Sequence, residues 1–275
     1  MPGFYETAMK KISVLVVFTG CFLYSSSQKK GNLFNGMYLQ WGYNAESYTS
    51  SNIHFRMQNG NDFILHNVVA HDKGDFDAIY KKPKEISIPQ YNYRIGFYLD
   101  AKKSKALELN FDHAKYVVTD GQTAHVTGII DGTRVDGDSM LNPVTFLHLE
   151  HTDGANWLHL NYVSQLTLLY TASAARPLIT AVWKAGAGIN IPRTDFTWRN
   201  DRYNNDFHIA GYNISVEAGA RLYILPRLFF ELAGKTGYVK YINALANTAS
   251  LKGNRVTHSF GYAEGIATFG YDFKF

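Results

Sequence analysis

At 275 residues the chain is long enough for one large all-β domain or two small ones. A formal charge of +4, carried in scattered pairs such as Lys81-Lys82 and Lys102-Lys103, excludes the dense basic surface of a nucleic-acid binder. The single cysteine excludes an intrachain disulfide and a cysteine-built metal cluster.

The first element is a targeting segment. Lys10 and Lys11 form a basic pair, Ile12 to Tyr24 an apolar stretch, and Ser25 to Ser27 a run of small residues before Gln28. This order reads as a secretory signal peptide over residues 1–27, with the true start at Met9 and a mature domain over 28–275. The apolar stretch falls short of the roughly 20 residues that a helical anchor needs. A second reading rests on "FTGC", Phe18 to Cys21, which resembles a lipoprotein signal box with Cys21 lipidated, although phenylalanine stands where leucine is usual.

Beyond residue 30 no helical period is sustained, while alternation of apolar and polar residues is. Aromatic residues at 15% and 23 glycines fit strands and close backbone approach. Eight strands are expected near 36–47, 89–99, 106–118, 145–168, 177–192, 209–224, 227–242 and 257–275. Over 212–224 the apolar set is Tyr212, Ile214, Val216, Ala218, Ala220, Leu222 and Ile224, and the intervening set includes Asn213, Ser215, Glu217 and Arg221. Connections alternate between short ones ("DAKKSK", "TASAARP", "LPR") and long polar ones over 48–88, 119–144, 193–208 and 243–256. The first long connection contains a hairpin pattern, Ile53–Met57 and Phe63–Val69. In the fourth segment "HTDGAN" shifts the alternation and reads as a bulge or a small turn.

The fold class is therefore all-β, an eight-stranded antiparallel up-and-down barrel. Alternation alone does not say which face is inside. The polar face combines Arg94, Glu108, Asp112, Lys184, Glu217, Arg221, Glu231, Lys235, Glu264 and Asp272 with many glycines, including Gly42, Gly96 and Gly270. Small residues among charges suit a crowded interior. Short turns at one end, long loops at the other and aromatics near strand ends (Trp41, Tyr43, Tyr91, Tyr93, Tyr238) suit a transmembrane barrel with short periplasmic turns and long external loops. The alternative is a secreted soluble barrel of the lipocalin kind, with the apolar face inside.

The last strand separates the two. Phe269, Tyr271, Phe273 and Phe275 alternate with polar or small residues to the end of the chain. This resembles the C-terminal signature of Gram-negative outer-membrane β-barrel proteins. The resemblance implies an outer-membrane location, lipid as surroundings, and recognition of these four residues by the barrel-assembly machinery as an assembly signal. Pairing of the last strand with the first would close the ring.

An eight-stranded interior is filled by side chains. Arg94, Glu108, Lys184, Glu217, Arg221, Glu231, Lys235 and Glu264 are expected to form a polar network there, with Lys184 near Glu217, Arg221 near Glu231 and Lys235 near Glu264. The stretch Phe146–Asn156 is dense in catalytic residue types. It faintly resembles the His-x-Ser-Asn signature of outer-membrane lipid A 3-O-deacylases, with His151 as the base and Glu217 as a supporting acid. Asp153 falls where that family has its nucleophilic serine, and an aspartate does not follow the family's acyl-enzyme route. No cofactor, metal or nucleic-acid partner is expected. The functional expectation is a non-enzymatic envelope component with outward-facing loops whose external ligand is unknown; a lipid A-modifying acyl hydrolase is the rival.

Overall fold

A computed structural model of the chain describes residues 33–77, 81, 90–172 and 176–274. The expected signal peptide, Cys21 and Phe275 lie outside the described residues.

Eight strands close a ring: β1 (Met37–Tyr48), β5 (Tyr91–Tyr98), β6 (Lys105–Asp112), β11 (Trp157–Tyr170), β12 (Pro177–Asn190), β15 (Gly211–Tyr223), β16 (Leu228–Leu245) and β17 (Arg255–Phe273). All neighbours are antiparallel, and β17 returns to β1 with Met37 opposite Phe273 and Tyr48 opposite Tyr262. Closure leaves no barrel strand with a bare edge toward lipid, which could not satisfy its backbone groups.

Alternation places the apolar set outside. Ile214, Val216 and Leu222 on β15, Leu232 on β16, and Phe269, Tyr271 and Phe273 on β17 are exposed. Arg94, Glu108, Lys184, Glu217, Arg221, Glu231, Lys235 and Glu264 are all buried inside. A soluble barrel requires the reverse, so the lipocalin-like alternative is set aside. Interior glycines make room for rings: a Cβ at Gly96 would lie 2.0 Å from the Tyr38 ring, and one at Gly270 would lie 2.3 Å from that of Phe229.

Two of the expected long strands are each divided. Segment 106–118 splits into β6 and β7 (Tyr116–Val118), and segment 145–168 into β10 (Leu147–His151) and β11. The cause is local. Gly154 at φ 125° and Asn156 at φ 35° bend the chain within "HTDGAN". Above the Asp112–Trp157 pair, β6 and β11 therefore part, and β7 and β10 pair with each other outside the ring.

The external connections are themselves sheets. β2 (Ser51–Arg56) and β3 (Asp62–Val68) extend the barrel wall from β17, and the hairpin β8 (Thr123–Ile130) and β9 (Thr133–Met140) extends it further. The expected hairpin is present, with its first arm over Ser51–Arg56 and its second over Asp62–Val68. A separate five-stranded sheet runs β14 (Asp201–Asn204), β13 (Asp195–Trp198), β10, β7 and β4 (Ala70–His71). The two layers share an apolar core. Phe55 stacks on Phe63 at 5.1 Å and on Phe196 at 5.4 Å, and Phe63 lies 5.5 Å from Trp198.

Candidate functional site

The lumen is a stack of polar layers. At the end with the short turns, Asp272 accepts from Tyr98 at 2.7 Å, Lys103 at 2.9 Å and Tyr223 at 3.2 Å. In the middle, Glu217 Oε1 lies 2.6 Å from Arg94 Nη1 and 3.0 Å from Lys184 Nζ. Glu231 accepts from Arg221 Nε at 2.5 Å, Lys184 Nζ at 2.9 Å and Gln40 Nε2 at 2.9 Å. Glu108 accepts from Tyr38 at 2.6 Å and Lys184 at 3.1 Å. Above this, Lys235 bonds Asp112 and lies 3.4 Å from Glu264. Arg94 and Lys184 share Glu108, Glu217 and Glu231, and Arg221 joins them on Glu231, so the middle layer is cross-braced rather than paired off, and side chains fill the path along the barrel axis.

A different layer caps the stack where barrel and external sheets meet. His151 on β10 and His258 on β17 are buried with their Nε2 atoms 3.1 Å apart. Tyr241 stacks on His258 at 4.8 Å, and Tyr116 lies 5.2 Å from the same ring. Thr194 Oγ1 is 3.1 Å from His151 Nδ1, while His258 Nδ1 has no partner. These contacts select a tautomer. If His258 Nε2–H donates to His151 Nε2, then His151 Nδ1–H donates to Thr194, and only an acceptor is left unpaired. The opposite choice would bury an unpaired N–H, which is the costlier state. Burial holds His151 down at about 3, against a small opposing pull from Glu150, so the pair is neutral at pH 7.

The three residues of the hydrolase reading are not brought together. His151 faces His258 and Thr194, Asp153 bonds Arg193 at 3.1 Å and Asn204 at 2.6 Å, and Glu217 lies in the barrel layer described above. Among the described residues none of the three contacts another. His148 meets Asp120 at 2.7 Å and Glu150 at 3.4 Å, a pair of carboxylate contacts without a third ligand. Among the described residues no group of three or more His, Cys, Asp or Glu is disposed to hold a metal. The histidine layer escapes sequence reasoning because its members come from strands far apart in the chain; the only signal was a histidine, His258, at an inward position of an otherwise apolar–polar alternation.

No protein-family model and no curated protein matches the chain. Among solved structures it is similar to Neisserial surface protein A, at 8% identity and TM-score 0.36 over 87% of this chain and 97% of that one. It is also similar to the outer membrane protein OprG from Pseudomonas aeruginosa, at 13% identity and TM-score 0.42 over 88% and 98%. A third is the attachment invasion locus protein Ail of Yersinia pestis in complex with the heparin analogue sucrose octasulfate, at 8% identity and TM-score 0.31 over 85% and 99%. The chain's own closed ring, lipid-facing apolar band and packed polar lumen make it a small transmembrane β-barrel of the Gram-negative outer-membrane type.

Proposed function

We propose that the protein is a non-enzymatic outer-membrane component whose external β-layers present a binding surface. One observation carries this reading: the external connections fold into two packed sheets around Phe55, Phe63, Phe196 and Trp198, while the lumen beneath is filled by cross-braced ion pairs. A conduit needs an open lumen, and this one is packed. A surface for recognition benefits from rigid support, which the aromatic core supplies. Outer-membrane lipid and the barrel-assembly machinery are its expected partners during insertion.

Expression in a Gram-negative host tests the reading. Lipid A mass spectrometry is expected to show unchanged acylation, because Asp153 is tied to Arg193 and Asn204 and has no contact with His151. Planar-bilayer recordings are expected to show no steady conductance. Loss of a 3-linked acyl chain that disappears in His151→Ala would overturn the non-enzymatic assignment, and a stable conductance would overturn the filled lumen.

A further inference from the structure

We propose that a polar groove on the outer wall binds the phosphate-bearing headgroup of an outer-leaflet lipid. The groove encloses about 560 Å³ where β2 and β3 join the barrel wall, and its lining includes Ser50, His54, His66, Lys240, Thr257 and Ser259. It opens on the outside of the sheet, and its lining also reaches the buried Ser51 and His258.

Its height is set by the strands beneath it. Along β16 the outward positions run Phe230, Leu232, Gly234, Thr236, Tyr238 and Lys240. Lys240 is the first charged side chain met in that direction, directly opposite Ser259. Strands tilted by roughly 45° climb about 2.3 Å per residue, so the distance from Phe230 to Lys240 is close to the ~25 Å of an apolar band. The groove therefore opens at the level of the lipid headgroups, with Tyr238 below it as an interfacial aromatic.

Charge supplies the second observation. Among the described residues Lys240 has no ion-pair partner. Arg56 lies directly opposite Arg255 on β17 and directly opposite Asp62 on its other side, on β3, so a single carboxylate stands beside two guanidinium groups, and like charges placed opposite each other cost stability unless further anions balance them. Arg56 donates to Thr257 Oγ1 at 3.1 Å and Arg255 to the backbone carbonyl of Asn254 at 2.9 Å, and among the described residues neither meets a carboxylate. The carboxylate that pairs with a lining residue is Asp62, 2.6 Å from His54 Nε2. Asp136 and Asp138 are held by His125 on the neighbouring strand β8. One fixed cation, Lys240, three hydroxyls (Ser50, Thr257 and Ser259) and two imidazoles (His54 and His66) thus line the groove, and Arg56 and Arg255 lie beyond it on β2 and β17, with one nearby carboxylate. A phosphate monoester, with several acceptor oxygens and up to two negative charges, matches that donor set.

Native mass spectrometry of the full chain in detergent tests the site, with three probes: bisphosphorylated lipid A, the same lipid A after enzymatic dephosphorylation, and inorganic phosphate. Bisphosphorylated lipid A is expected to be retained about tenfold more strongly than the dephosphorylated form, a ratio of ~1.4 kcal/mol. Lys240→Gln should remove most of that preference, Lys240→Arg should keep it, and the triple substitution of Lys240, Arg56 and Arg255 by Gln should abolish it. All are surface changes, and the heat-modifiable gel shift confirms that each variant is folded. Inorganic phosphate at millimolar concentration should not displace the lipid. Equal retention of the two lipids, or retention untouched by the triple substitution, would overturn the site. Displacement by inorganic phosphate would overturn the lipid as its occupant in favour of a free anion.

Discussion

Glu231→Leu is expected to cost the barrel ~3–5 kcal/mol, the largest effect of any single substitution in the lumen. The carboxylate receives Arg221, Lys184 and Gln40 and lies 3.6 Å from Arg94. Leucine is close in volume, so the loss is electrostatic. It would leave Arg221 without an ion-pair partner among the described residues, because Glu231 is the one carboxylate that pairs with it. Lys184 would keep Glu108 and Glu217. Glu231→Gln should fall between wild type and leucine, since the amide still accepts one hydrogen bond. Val216→Leu, on the lipid-facing side of β15, should change stability by less than about 0.5 kcal/mol, because lipid adapts to one more methylene. Urea unfolding from liposomes reads both. A silent Glu231→Leu beside a damaging Val216→Leu would invert the inside and outside of the barrel.

That ordering of faces was legible in the sequence because a strand's period of two is carried by every residue along it. Charges and glycines on one face, and aromatics on the other, distinguish a packed lumen from a wetted exterior. Lys184 with Glu217, Arg221 with Glu231 and Lys235 with Glu264 do meet. They could be named in advance because adjacent antiparallel strands bring their inward rows together. Alternation does not, however, say which strand is the partner. Tyr116–Val118 continues the pattern of β6, and Leu147–His151 that of β11, yet both leave the ring. The hairpin β8–β9 escapes the alternation for another reason. Its turn, Asp131 at φ 50° and Gly132 at φ 74°, is the Asp-Gly pair of a tight hairpin and was visible. The strand β9, however, is exposed along most of its length and lacks an apolar face to alternate with. The layer of His151, His258, Tyr116 and Tyr241 depends on bringing β7, β10, β16 and β17 together in space, which no local period encodes.

That layer gives the external sheets a dependence on pH. His151 ties β10 to β17 through His258, and both rings are held neutral by burial, with His151 and then Lys240 further disfavouring charge on His258. The unfolded chain binds protons on both as pH falls below about 6.5, while the folded pair does not until about 3 for His151. Stability of the external layers should therefore be greatest above pH 7 and decline as pH drops, by about 2–3 kcal/mol at pH 4.5 from His151 alone. Of the other groups facing the pair, Tyr116 and Tyr241 stay neutral throughout this range. Glu150 is held near 2, its contacts with His148 and Thr152 outweighing the effect of burial, so its own contribution is lost only below about pH 4.5 and adds to the decline there. His148 acts in the opposite sense. Burial alone would lower it, but Glu150 and Asp120 raise it above its ordinary value, so its stabilising contribution is fully present at low pH and is lost as pH rises. His148→Gln should accordingly steepen the wild-type decline. The double substitution His151→Gln and His258→Gln, which preserves a hydrogen bond between neutral amides, should flatten it between pH 7 and 4.5. Amide hydrogen exchange over β2, β3 and β13, corrected for the intrinsic rate at each pH, measures the effect apart from the barrel strands. If exchange in these strands is as slow at pH 4.5 as at pH 7.5 in the wild-type chain, the histidine pair does not hold the external layers to the barrel.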